Sequence, residues 1–150
     1  MNAPTGINAS PKEVVVRFLE LMATGEPADL ENAGHLFADD VSFWIAGKTA
    51  ISGTVCGREA VMDKRFRPSR KRTIAGTLIL KIGVVVAEGE YVAAEWTSRR
   101  QVVNSPDYEN AFFGLFQVRN GKIHSLREYL DTQAVVESGW RHMESKGASK

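Results

Sequence analysis

Asn120-Gly121 stands between two long runs rich in β-branched and aromatic residues, Tyr108 to Arg119 and Lys122 to Leu130. Both turn residues accept positive φ at little cost, so the pair closes a tight hairpin and makes the runs antiparallel neighbours. Two similar runs come before them, Thr73 to Ala87 and Tyr91 to Val103, with Glu88-Gly89-Glu90 between them and Asn104-Ser105-Pro106-Asp107 after them. Links this short leave no room for a crossover helix. The second half of the chain is therefore expected to be a meander of four antiparallel strands.

The first half has helical spacing instead. Met1 to Ala9 is small, polar and without periodicity, and is expected to be a disordered tail, as is the segment Glu144 to Lys150. Ser10-Pro11-Lys12-Glu13 supplies an N-cap, a proline at the first helical position and the Glu of a capping box. Val14, Phe18, Leu21 and Met22 then share one face, and Gly25 with Pro27 ends this helix. Asp29 opens a second helix, in which Leu30, Ala33 and Phe37 share a face and Asp39-Asp40 closes the run. Val41 to Ile45 predicts a short strand able to join the meander, Gly47 to Gly57 a glycine-punctuated loop, and Arg58 to Phe66 a third helix stopped by Pro68. Asp131 or Thr132 caps a last helix running from Gln133 to about Met143.

Helices followed by a curled antiparallel meander define an α+β domain with helices packed across one face of the sheet, spanning residues 10–143. A curved sheet with helices across its mouth leaves a conical cavity suited to a hydrophobic small molecule. The 150 residues suffice for one such domain. With 19 basic and 18 acidic residues the net charge is +1, so neither nucleic acid nor a membrane surface is expected as a partner. The single Cys56 forms no internal disulfide, offers no zinc-type cluster and is expected to be a small buried residue in a cytoplasmic protein. No stretch approaches the ~20 apolar residues of a spanning helix.

Several motifs together resemble a known group: Phe37-Ala38-Asp39-Asp40, then Gly57-Arg58-Glu59-Ala60-Val61, then Gly121-Lys122-Ile123 leading to Arg127-Glu128-Tyr129-Leu130-Asp131. Their order resembles the SnoaL-like families of the nuclear-transport-factor-2-like superfamily, which also holds ketosteroid isomerase, limonene epoxide hydrolase and scytalone dehydratase. The resemblance runs from about Pro11 to Trp140 and implies a cone-shaped α+β barrel that forms a homodimer through the outer face of its sheet. It also implies an acidic residue on the last long strand that acts as acid or base in the cavity, a place held by Glu128. The Arg and Asp of the epoxide hydrolases fall on Glu95 and Thr97, so limonene-type hydrolysis is not expected. Ketosteroid isomerase has a tyrosine on helix one and a general-base Asp after the Asp39-Asp40 pair; here Phe18 stands on the helix and no carboxylate occurs between Asp40 and Glu59.

Alternation along the closing strand puts Leu126, Glu128 and Leu130 on one face, so a carboxylate shares a side with two leucines and is paired, protonated or working. Along the strand two before it, Glu95, Thr97, Arg99 and Gln101 share a face, with Trp96, Ser98 and Arg100 opposite. If the first set faces the cavity, Arg99 holds one carboxylate ionised while an apolar wall raises the pKa of the other; a structural Glu-Arg pair is the equal alternative. Glu128, Glu95 and Arg99 are thus the candidate catalytic residues, and Trp44, Thr97, Tyr108, Phe112 and Phe116 the candidate cavity walls. His35 is a further candidate from pocket histidines in some dehydratases of the superfamily. The run Lys64 to Arg72 carries six basic residues in nine positions and is expected to be a solvated loop at the cone's mouth. Two functions remain open: an enzyme moving a proton on a polyketide, terpenoid or steroid-like compound without metal or organic cofactor, and a non-catalytic ligand-binding or subunit-association domain of the same shape. Service as a small subunit of a larger oxygenase is a third.

Overall fold

The computed structural model describes residues 8–139. The readings for the extreme N-terminus and for the last helix beyond Gly139 lie outside the described residues. Helix α1 (Pro11–Ala23) begins on the expected capping box: Glu13 N–H donates to Ser10 Oγ at 3.2 Å and Ser10 N–H to Glu13 Oε2 at 2.9 Å. It buries Val14, Val15, Phe18, Leu19 and Leu21. Helix α2 (Pro27–Gly34) stops sooner than its apolar spacing suggested, and Phe37 opens strand β1 (Phe37–Ile45). At Gly34 a Cβ would lie 2.9 Å from the Met62 side chain, so the absence of a side chain lets α2 pack closely there.

Strand β2 (Gly53–Cys56) lies inside the stretch expected to be loop, because its small residues pair with β1 in antiparallel register from Ser42↔Cys56 to Ile45↔Gly53. Alternation turns Val55 inward and leaves Cys56 exposed, not buried as expected. The meander follows as β3 (Ile79–Glu88), β4 (Tyr91–Arg100), β5 (Tyr108–Arg119) and β6 (Lys122–Leu130), with positive φ at Asn120 and Gly121 in the last turn. One six-stranded sheet results, in the order β2-β1-β6-β5-β4-β3, with β1 parallel to β6 and the other pairs antiparallel. Bulges between Phe37 and Ser42, Ile82 and Val85, and Gln117 and Val118 curve the sheet, which stays unclosed.

A third helical segment runs from α3 (Arg58–Val61) through a π-helical turn (Met62–Phe66) into α4 (Arg67–Arg72). It does not stop at Pro68. The proline has no N–H to give, and the widened turn before it, closed by Arg67 N–H to Met62 C=O, carries the helix past it. The basic run is therefore helical, not a solvated loop. Helix α5 (Thr132–Glu137) is capped by Asp131, whose Oδ1 accepts from the N–H groups of Gln133 and Ala134.

Between α1 and the concave face lies a core centred on phenylalanines. The Phe18 ring is 5.2 Å from Phe37 and 6.0 Å from Phe116, and Phe66 stacks on Phe43 at 5.6 Å. Each fully buried ring of this kind contributes about 1.5–3 kcal/mol. No helix among the described residues is long and apolar enough to cross a membrane.

Candidate functional site

The expected face of β6 is the buried one: Leu126 and Glu128 are both buried and Leu130 is half-buried. Glu128 pairs in register with Gly114 of β5 and Ile45 of β1, and its backbone C=O accepts from Ala46 N–H at 3.0 Å. Its side chain enters a cavity of about 130 Å³ walled by Phe43, Ile45, Phe66, Trp96, Phe112 and Leu130. Gly114 makes room for that wall, because a Cβ there would lie 2.8 Å from the Phe116 ring and 2.9 Å from the Trp96 indole. Burial pushes the Glu128 carboxyl up to about 8, and the charge of Arg65 offsets this only in part. At neutral pH Glu128 is therefore mainly a carboxylic acid, a group able to donate a proton in an apolar space.

The remaining polar groups come from the helix and from the far end of β4. Met62, Arg65, Phe66, Ser69 and Arg70 recur at helical spacing through the π turn and α4; of these, Arg65, Phe66, Ser69 and Arg70 line the cavity. Arg70 is steadied by backbone oxygens, donating to Met22 C=O at 3.2 Å and Glu26 C=O at 3.3 Å. From β4 come Ser98 and Arg100. The Arg100 guanidinium lies over the Tyr108 ring, 4.8 Å from its centroid, and burial pushes its pKa down to about 10. Tyr108 Oη accepts from Asn110 Nδ2 at 2.8 Å, and burial raises the phenol. Asn110 is itself fixed by its bonds to the backbone N–H and C=O of Asp131.

Four candidates from the sequence meet here: Glu128, Tyr108 and Phe112 line the cavity, and Phe116 packs behind the lining, 6.1 Å from Trp96. The others lie elsewhere. Glu95, Thr97 and Arg99 are exposed on the outer face of β4; Glu95 accepts from Val84 N–H and Arg99 faces Asp107 at 3.7 Å. No charged group of Glu95, Arg99 and Glu128 therefore forms. Trp44 is also on the outer face, against Tyr129 at 5.3 Å and under the Arg127 guanidinium at 4.5 Å. His35 caps α2 at the surface, where its C=O accepts from Lys122 Nζ.

The parity of β4 follows from its apolar half. Val92, Ala94 and Trp96 are the set that burial selects, and they carry Ser98 and Arg100 inward with them. Arg70 is hidden in the sequence because Pro68 reads as a helix stop, and Arg65 because the basic run reads as solvated, although their i, i+4 partners Phe66 and Ser69 mark an inward stripe. Arg67, in the same run, faces away and binds Glu31, Glu59 and Asp63 at 2.9, 3.1 and 2.7 Å. Beyond Arg70, Thr73 and Leu78, which line both spaces, the cavity adjoins an outer groove of about 610 Å³ beside Thr24 to Pro27.

A curved sheet packed against α1, with a carboxyl inside the concavity, defines a cone of the nuclear-transport-factor-2-like class. Solved structures with this fold include a protein of that class from Burkholderia xenovorans LB400, 23% identical, covering 85% of this chain and 94% of its own with a TM-score of 0.63. A protein from Catenulispora acidiphila with a ketosteroid isomerase-like fold, in complex with trimethylamine, is 22% identical, with 85% and 92% covered and a TM-score of 0.66. TerC, co-crystallised with polyporic acid, is 19% identical, with 86% and 98% covered and a TM-score of 0.69. A search of curated proteins finds no match. The SnoaL-like domain matches residues 15–126, and the chain belongs to that family.

Proposed function

We propose that this SnoaL-like protein is an enzyme that moves a proton on a compact, largely apolar substrate, with Glu128 as the proton-carrying group. The observation that carries this reading is that Glu128 is the carboxyl, among the described residues, that faces the cavity, with burial beside apolar walls raising its pKa to about 8. Glu128 begins as the acid and protonates a carbonyl or enolate oxygen, or a leaving hydroxyl. The resulting carboxylate, beside the Arg65 charge, then takes a proton from carbon, so the cycle returns the group to its starting state. That sequence suits isomerisation, aldol-type cyclisation or dehydration of an enolisable substrate. Trp96 and Phe112, stacked at 5.4 Å and 2°, form the flat wall against which such a substrate lies.

Glu128→Gln assayed on a panel of enolisable ketones is the test. Loss of turnover on whichever substrate the native protein converts supports the assignment, and full activity in the variant removes Glu128 from the mechanism. In the same reading two copies pair through the outer face, where Phe113 and Tyr129 are exposed beside Trp44. Sedimentation of Phe113→Lys against the native chain tests it: a native dimer that the variant dissociates is expected, and a native monomer contradicts it.

A further inference from the structure

We propose that the cavity selects a substrate bearing a carboxylate, which docks on Arg100 and Tyr108 and lays a body of about one ring over Trp96 and Phe112 towards Glu128. This rests on the reading of the cavity as the working site and adds what kind of molecule it accepts.

Arg70 and Arg100 line the cavity, and Glu128 is the carboxyl among the described residues that does so. Several arginines outside the cavity meet acids: Arg67 has three, Arg58 pairs with Asp39 at 2.9 Å, and even exposed Arg99 faces Asp107. Among the described residues no carboxylate pairs with Arg100, whose buried Nε makes no hydrogen bond. Its neighbouring charges Arg70 and Arg72 repel it further. A half-buried, unneutralised guanidinium is costly, and an anion filling the space beside it removes that cost.

The surroundings fit a carboxylate. A guanidinium offers a planar fork that matches two carboxylate oxygens, and Tyr108, already accepting from Asn110, keeps its own O–H to donate. Ser98 adds a hydroxyl at the same end. Arg100 pairs in register with Tyr108, while Glu128 lies at the level of Gly114 and Ala94, six residues back along β4. Six residues span about 20 Å of strand, yet a charge on Glu128 is felt at the Tyr108 phenol beside Arg100, so the two ends of the cavity lie within electrostatic reach of each other. Between them lies the stack of Trp96 and Phe112. The cavity volume of about 130 Å³ is close to that of an apolar cavity known to hold benzene, ~150 Å³. A single ring with a carboxylate is thus the size and charge that the space accepts.

The test is calorimetric titration of the full chain with benzoate and phenylacetate, and with benzamide as the neutral counterpart. At least one acid is expected to bind about tenfold or more tightly than benzamide, and Arg100→Met to lose about tenfold or more of that affinity with benzamide unchanged. Arg100→Lys, which keeps the charge without the fork, is expected to fall between the two. Glu95→Gln, on the outer face of β4, is expected to bind the acid as the native chain does. Failure of Glu128 as the proton carrier shows in turnover, which this titration does not read. Binding of benzamide as tight as that of the acids, no binding of either acid, or native affinity in Arg100→Met or Arg100→Lys would overturn the proposal.

Discussion

Arg99 and Arg100 are consecutive residues on opposite faces of one strand. Arg99 is exposed, sits 3.7 Å from Asp107 and borders solvent; Arg100 points into the cone, lies over Tyr108 and has no carboxylate among the described residues. The same contrast runs the length of β4, with Glu95 and Thr97 outside and Trp96 and Ser98 inside. A charge in water is cheap and does little, since exposed ion pairs contribute about 0–1 kcal/mol. A charge inside is expensive, and on the proposed reading its place there marks the face where a ligand is met.

The widest expected separation between the two faces is in turnover. Glu128→Gln should lower kcat by about 100- to 10,000-fold, the usual worth of a positioned acid or base, whereas Glu95→Gln should leave steady-state rates unchanged. A comparable loss in Glu95→Gln would erase the distinction between inside and outside.

The next effect is on the pH dependence of stability. The folded chain holds the Glu128 proton up to about 8, while the unfolded chain releases it near the ordinary glutamate value of 4.5. Between those values the native state binds more protons, so stability falls as pH rises through this window. Each tenfold difference in proton affinity is worth about 1.4 kcal/mol, which makes the full decline roughly 4–5 kcal/mol. Urea unfolding at pH 5, 7 and 9 should show this decline in the native chain, and in Glu128→Gln the part due to this residue should vanish.

Gly114→Ala probes the same wall sterically. Its new methyl meets the Trp96 and Phe116 rings at 2.8–2.9 Å, and overpacking of this kind costs about 1–3 kcal/mol. Thermal melts should show the loss. A melting point equal to that of the native chain would mean that the stack yields freely. The smallest effect belongs outside: Arg99→Met should shift stability by no more than about 0.5 kcal/mol.

The same strand shows what the sequence does and does not reveal. The meander, the capping box at Ser10 and the inward face of Glu128 are legible because each rests on local chemistry: an Asn-Gly turn, a reciprocal cap, a carboxylate between leucines. The parity of β4 is harder to read, because two charged residues and a threonine suggest function more strongly than Val92, Ala94 and Trp96 suggest core. Burial follows the apolar half, and the buried arginine travels with it. Pro68 misleads in another way. Its effect on a helix depends on whether the preceding turn can widen, which no local rule states, so Arg70 falls outside the expected site. Strand β2 is only four residues long, too short to stand out between its glycines, and exists through its pairing with β1.

The central claim is that Glu128 is a neutral acid at physiological pH because the cone keeps water from it. A carbon-13 NMR titration of the glutamate side-chain carboxyls, with the resonance assigned by its absence in Glu128→Gln, measures this directly. The account predicts an inflection near 8; an inflection in the ordinary glutamate range near 4.3 would contradict it.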